Sequence, residues 1–268
     1  MATINGTPGN DELRTVASND ELLGLEGNDI LDAGGGKGNN ILRGGAGDDE
    51  LFAYQNDQLY GDAGDDFLYS DGEGNNTLDG GEGNDEIFPD RNDIVDGGIG
   101  DDIIFAGRGG NTFTGGLGKD VFWIANVELP ENPTTITDFN FTEDTIRVDL
   151  AGVENFSDFS ITQQENGTVI SALGTQLATI EGVAPSQLNP QNLVVDKNAP
   201  DNPGLNQPVI EDATFSIREN SVEGTLIGTV SANDPDENDI LTYSITDGNL
   251  DIDGDGNTAF TIDATSGE

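Results

Sequence analysis

Apolar residues in the first half of the chain recur with a period of nine. From Gly6 onward one apolar side chain stands at the eighth place of each nonapeptide: Leu13, Leu22, Leu31, Leu42, Leu51, Leu59, Leu68, Leu78, Ile87, Val95, Ile104, Phe113 and Phe122. The clearest copies are GGAGDDELF from Gly44, GGEGNDEIF from Gly80, GGIGDDIIF from Gly97 and GGLGKDVFW from Gly115. A three-residue strand turns its middle side chain to one side and its two neighbours to the other. The pattern therefore predicts a short strand with an inward eighth residue, preceded by a six-residue turn. Glycine in the turn permits positive φ and frees backbone carbonyls. One such unit cannot bury its apolar residue, but stacked units build a thin continuous core. A disordered acidic tract has no reason to hold this register.

The sixth places are nearly as regular: Asp11, Asp20, Asp29, Asn40, Asp49, Asp57, Asp66, Asn76, Asp85, Asp93, Asp102, Asn111 and Asp120. Carboxylates and free carbonyls in a glycine-rich turn are the oxygen donors that suit Ca²⁺. Composition agrees. Asp and Glu number 52 against 9 Lys and Arg, a net charge of −43, and 38 residues are Gly. A compact chain so charged repels itself unless cations neutralise it. Nucleic acid, which needs a basic surface, is excluded as a partner. There is no Cys and no His, which removes disulfides, thiolate metal sites and His-dependent catalysis. No apolar run is long enough to span a bilayer, so membrane insertion is not expected.

The unit GGxGxDxUx resembles the calcium-binding nonapeptide of the RTX (hemolysin-type) family. The resemblance implies a right-handed parallel β-roll in which odd repeats stack on odd and even on even. The two sets differ here. All seven odd repeats keep glycine at places one and four and Asp at place six: Asp11, Asp29, Asp49, Asp66, Asp85, Asp102 and Asp120. The even repeats are defective. Three keep Asp20, Asp57 and Asp93 but lose the glycines (TVASND, AYQND, PDRND), and three keep glycines but carry Asn40, Asn76 and Asn111. The defects recur every four repeats, as if a four-repeat block had been copied. The expectation is a two-faced roll with strong Ca²⁺ sites along the odd turns and weaker ones along the even, since Asn coordinates without charge.

The roll is expected over residues 5–123. Residues 124–196 lose the nine-residue register but alternate apolar and polar residues (TTITDF, DTIRVDL, GTVISAL), which predicts a β-rich segment capping the open end of the solenoid. Trp123, Phe139, Ile146 and Leu150 are expected in its core. KNAPDNPGLNQP, residues 197–208, reads as a linker. Residues 209–268 resemble the opening two-thirds of a cadherin-like β-sandwich. The acidic signatures of that family match Glu219, Asp234 and Asp236, which would hold junctional calcium. The sandwich is incomplete at Glu268, so the sequence reads as a piece of a longer protein. DIDGDGN from Asp251 opens like an EF-hand loop, but its twelfth place is Ile262 rather than a bidentate Glu, and a solvated acidic turn is the reading taken.

These features point to an all-β, calcium-binding, extracellular module of a secreted structural or adhesive protein, with cell-surface or matrix components as candidate partners. The N-terminus, MATINGTPGND, lacks the basic and apolar regions of a secretory signal. RTX relatives leave the cell unfolded through a type I channel, and sites working near ~10⁻⁴–10⁻³ M Ca²⁺ would fold the chain only outside. The alternative is an accessory roll of a secreted enzyme or toxin whose active domain lies elsewhere. Within this sequence no HExxH helix or GxSxG elbow is visible, so no catalytic residues are expected.

Overall fold

The computed structural model describes residues 2–15, 17–34, 38–197, 209–210 and 232–233. Two compact units divide the chain, Met1–Leu205 and Asn206–Glu268. In the second, Val209–Ile210 pairs antiparallel with Ala232–Asn233. The cadherin-like acids Glu219, Asp234 and Asp236 and the turn at Asp251 lie outside the described residues.

The described part of the first unit is all β apart from two 3₁₀ turns, Phe156–Asp158 and Pro185–Gln187. It forms a parallel β-solenoid of two sheets. The odd repeats supply one: Glu12–Arg14, Ile30–Asp32, Glu50–Gln55, Phe67–Gly74, Glu86–Phe88, Ile103–Phe105 and Val121–Val127, stacked in chain order. The even repeats supply the other: Glu21–Glu26, Ile41–Ala46, Gln58–Ala63, Thr77–Glu82, Ile94–Ile99 and Thr112–Leu117, with Thr3–Asn5 as the first rung. Each odd turn carries the chain from the even sheet to the odd, and each even turn carries it back. Because all strands within a sheet of the roll are parallel, odd turns line one edge and even turns the other.

The eighth places fall in strict register. Leu13, Leu31, Leu51, Leu68, Ile87, Ile104 and Phe122 form one column. Leu22, Leu42, Leu59, Leu78, Val95 and Phe113 form the other. All are buried except Leu13, which is half-buried on the first odd rung. A slip of one residue would turn a whole column outward, so burial fixes the register.

Stacking outlasts the nonapeptide pattern. Thr134–Ile136 adds a parallel rung to the even sheet, and Thr145–Leu150 then Leu193–Val195 extend the odd sheet. The even sheet ends differently. Thr175–Glu181 pairs parallel with Thr134–Ile136, then antiparallel with Gly167–Ala172, which pairs with Ser160–Gln164. An antiparallel meander thus covers an edge that would otherwise present unpaired backbone. Phe139, Ile146 and Leu150 are buried in the main core, as expected of a cap. Trp123 is not with them. It belongs to a second buried cluster with Tyr69, Phe88 and Phe105, on the outer side of the odd sheet.

Candidate metal centre

The odd turns are identical in length, six residues from Gly6, Gly24, Gly44, Gly61, Gly80, Gly97 and Gly115 to the sixth-place Asp. Their fourth-place glycines take positive φ between Gly27 and Gly118, for example 143° at Gly64. No side chain would sit easily in that conformation, which is why glycine holds this place from Gly27 to Gly118.

The sixth-place carboxylates tie successive odd turns together. The N–H of Asp11 donates to Asp29 Oδ1 at 2.7 Å, Asp29 to Asp49 at 2.7 Å, Asp49 to Asp66 at 2.8 Å, Asp66 to Asp85 at 2.8 Å, Asp85 to Asp102 at 2.8 Å and Asp102 to Asp120 at 3.1 Å. The second oxygens differ along the row. At the start, Asp11 Oδ2 accepts the N–H and hydroxyl of Thr7 at 2.6 and 2.9 Å. In the middle, the Oδ2 atoms of Asp29, Asp49, Asp66, Asp85 and Asp102 are buried and accept no hydrogen bond. A buried carboxylate oxygen without a partner is costly unless a cation meets it.

The surroundings suit a cation. A Cβ placed on Gly24, Gly44, Gly61, Gly80 or Gly97 would collide with the Oδ2 of its own repeat's Asp and with the first-place carbonyl oxygen of the next odd turn. Glycine there lets a carboxylate and a backbone carbonyl converge. Ca²⁺ takes six to eight such hard oxygens in flexible geometry, so the donor set fits. No three acidic side chains of the described residues converge as a metal-binding group; each odd turn from Gly24 onward offers one buried carboxylate together with backbone oxygen.

Electrostatics carry the same signature. Burial pushes the carboxyls of Asp66, Asp85 and Asp120 up to about 7 and those of Asp49 and Asp102 up to about 6. Neighbouring carboxylates add to the rise, Asp102 and Asp66 on Asp85 for instance, against backbone N–H bonds that lower it. Those five buried carboxyls hold their protons tightly without a counter-ion.

Two parts of this centre escape a reading by nonapeptides. The row continues into the cap, where Asp120 N–H donates to Asp144 Oδ1 at 3.1 Å and Asp144 Oδ2 accepts the Asn140 N–H at 2.7 Å. Asp144-Thr145-Ile146 repeats the carboxylate-x-apolar end of a nonapeptide, a signal present in the sequence without its glycines. A second ladder runs along the exposed fifth places. N–H groups of Asn28, Asp48, Asp65, Asn84, Asp101 and Lys119 donate to the Oδ1 of Asn10, Asn28, Asp48, Asp65, Asn84 and Asp101. Only an amide or carboxylate oxygen is needed there, so Asn and Asp interchange.

The even sixth places form a ladder of their own. Asp20 N–H donates to Asn40 Oδ1 at 3.0 Å, Asn40 to Asp57 at 2.7 Å, Asp57 to Asn76 at 2.8 Å, Asn76 to Asp93 at 2.7 Å and Asp93 to Asn111 at 2.8 Å. All six side chains are buried. Here the second atom is largely satisfied. Thr15 Oγ1 donates to Asp20 Oδ2 at 2.8 Å, Tyr54 N–H to Asp57 Oδ2 at 3.1 Å, and Ser70 Oγ and Asp90 N–H to Asp93 Oδ2 at 2.6 and 3.1 Å. Asn111 Nδ2 donates to the Ala106 carbonyl at 2.7 Å and Asn76 Nδ2 to the Tyr54 carbonyl at 3.3 Å. Asn40 Nδ2 is the exception, buried without an acceptor.

Comparison with known proteins agrees with this geometry. A family model described as "RTX calcium-binding nonapeptide repeat (4 copies)" matches residues 5–37, 35–68, 54–72, 69–91 and 90–122. No curated protein matches the chain. Among solved structures, the extracellular lipase LipA from Serratia marcescens aligns at 19% identity over 72% of this chain and 40% of the lipase, with a TM-score of 0.24. The AlgE6R3 subunit of the Azotobacter vinelandii mannuronan C5-epimerase aligns at 20% identity over 81% of this chain and 94% of that one, with a TM-score of 0.25.

Proposed function

Residues 5–122 belong to the RTX calcium-binding nonapeptide repeats, and from that premise we propose that the chain is a calcium-dependent folding module of a secreted structural or adhesive protein. Asp11, Asp29, Asp49, Asp66, Asp85, Asp102 and Asp120 are the carboxylates of the odd edge, and with the first-place carbonyls they would hold the ions. The observation that carries this reading is the run of five buried Oδ2 atoms, from Asp29 to Asp102, that no protein donor satisfies. Ca²⁺ bound there supplies the positive charge that a chain of net charge −43 lacks.

The chain's own residues do the rest. The Oδ1 bonds hold each carboxylate in place across two rungs, and the glycines keep the cradle open. The aliphatic columns behind the turns form only when the turns stack. Binding and folding are therefore one equilibrium, and binding free energy becomes folding free energy. Sites in the extracellular range of ~10⁻⁴–10⁻³ M would leave the chain unfolded in a calcium-poor cytosol. That suits export through a type I channel and an extracellular or cell-surface location, where matrix or surface components would be its partners. RTX repeats are characteristic of secreted proteins, and no helix of the described residues is long and apolar enough to cross a membrane.

The test is far-ultraviolet circular dichroism of the full chain after chelation, then with millimolar Ca²⁺ or Mg²⁺. Calcium is expected to restore the β spectrum. Magnesium is not, because it demands a tighter octahedral shell than these turns supply. An ordered β-roll spectrum in the chelated sample above about pH 8, where the raised carboxyls are ionised, refutes the reading.

A further inference from the structure

We infer that calcium enters this roll along the odd edge only, and that the even edge is closed by the protein's own hydrogen-bond donors and guanidinium groups. The inference rests on the calcium reading of the odd edge and assigns Asp20, Asn40, Asp57, Asn76, Asp93 and Asn111 a different role, that of a metal-independent ladder.

Four observations carry it. The first is turn length. The odd turns are all six residues, whereas the even turns span 15–20, 33–40, 53–57, 70–76, 89–93 and 106–111, between five and eight residues. An ion held between stacked turns needs the same donors at the same height on each, and turns of unequal length do not offer them.

The second is backbone conformation. From Gly24 onward the odd turns take positive φ at places two and four, as at Gly81 (110°) and Gly83 (139°). In the even turns glycines such as Gly72, Gly74, Gly107 and Gly109 take positive φ at these places too, but only the even turns add it at place five, at Asn19, Asn39, Asn56, Asn75 and Asn92 with φ between 55° and 63°, and at Gly110. Asn is the residue other than Gly that most readily visits this region. The place-five N–H then bonds the carbonyl of the neighbouring even turn, Asn56 to Gly74 at 3.2 Å and Asn92 to Gly109 at 3.2 Å. Those carbonyls are already engaged with protein.

The third is satisfaction of the sixth-place side chain. On the odd edge the second oxygen is bare from Asp29 to Asp102. On the even edge Thr15, Tyr54, Ser70 and Asp90 donate to the corresponding atoms of Asp20, Asp57 and Asp93. At Asn40, Asn76 and Asn111 that atom is an NH₂ donor, which repels a cation.

The fourth is charge. Among the odd turns the one basic residue is Lys119, exposed at the last of them. Lys37, Arg91 and Arg108 all fall in even turns. The Nε atoms of Arg91 and Arg108 each lie 3.5 Å from a carboxylate oxygen of the buried Asp90, and Arg91 Nη1 lies 3.6 Å from Glu131. Positive charge thus falls in three of the even turns, while the odd edge meets it at Lys119 and at Arg43, whose Nη1 lies 3.3 Å from the exposed Asp62.

The test uses the full chain. Native mass spectrometry counts bound Ca²⁺ at saturation, and the emission of Trp123, the single tryptophan, follows calcium-driven folding. Asp66→Asn/Asp102→Asn is expected to lose ions and to raise the calcium midpoint at least about twofold through mass action. Asp57→Asn/Asp93→Asn is expected to keep the wild-type ion count, any rise in midpoint coming from the loosened ladder alone; loss of ions from this variant overturns the inference. If it does not fold even in excess calcium, Ser70→Ala decides. Removing the donor to Asp93 should lower stability at saturating calcium with the ion count unchanged, whereas an added ion, or no loss, means the even turn is a calcium site. A wild-type chain that takes up no calcium sinks the odd-edge reading itself, and this inference with it.

Discussion

A buried carboxylate in this roll has two oxygens with separate duties. Oδ1 of Asp66 fixes the turn by accepting the Asp49 N–H, while Oδ2 faces a glycine and a carbonyl with no donor. Without a cation the group keeps its proton. An unfolded Asp titrates near ~4, and burial lifts Asp66, Asp85 and Asp120 to about 7. Because the folded values lie above the unfolded ones, protonation favours the metal-free fold. That contribution is complete below about pH 4 and is lost as pH rises through about 6 to 7. The chelated chain is therefore expected to gain β structure as pH falls from about 7 to about 5, above the range where exposed carboxyls titrate. Circular dichroism at low calcium reads this, and a metal-free signal that responds only near pH 4 would show that the row does not hold its protons. The sixth-place residues themselves were legible from the nonapeptide. Which atom of each meets which rung was not, because that depends on a partner 17 to 20 residues away, at a distance set by even turns of varying length.

Strands in this molecule are too short to hold on their own, and neighbours across rungs decide their stability. The eighth-place columns follow directly from the period. The ninth places of the odd repeats read as outward, and on the later rungs they are nonetheless buried. Phe105 lies between Phe88 and Trp123, with ring centroids 4.2 and 6.0 Å away and planes 7° and 2° from parallel, and Arg147 stands over the Trp123 ring at 5.7 Å. Alternation tells which side of a strand a residue takes, not what covers that side. Phe105→Ala should cost about 3–5 kcal/mol, the range for a fully buried aromatic, against about 1 kcal/mol for an average substitution. Urea unfolding at saturating calcium measures it, and a loss within the average range would mean the outer cluster contributes little.

At the scale of the molecule, a solenoid must end. The nine-residue register stops at Trp123, yet Thr134–Ile136, Thr145–Leu150 and Leu193–Val195 continue the stack before the antiparallel meander closes the even sheet. A chain shortened to residues 1–123 would leave Phe113 and Phe122 on an open rung. It is expected to need more calcium to fold and to self-associate through that rung. Sedimentation velocity across a concentration series checks this; a calcium midpoint equal to the full chain's, with no association, would show the cap to be dispensable.

The sequence by itself determined the unit, the two columns of apolar residues, the acidic sixth places and the contrast between odd and even repeats. Each of these is a local rule copied many times, and repetition makes a local rule visible. Tertiary structure alone decided that the odd row runs on to Asp144, that the even second atoms find protein donors, and that the ninth-place rings are covered. Those outcomes depend on how turns of different length bring distant residues to the same height, which no single period encodes.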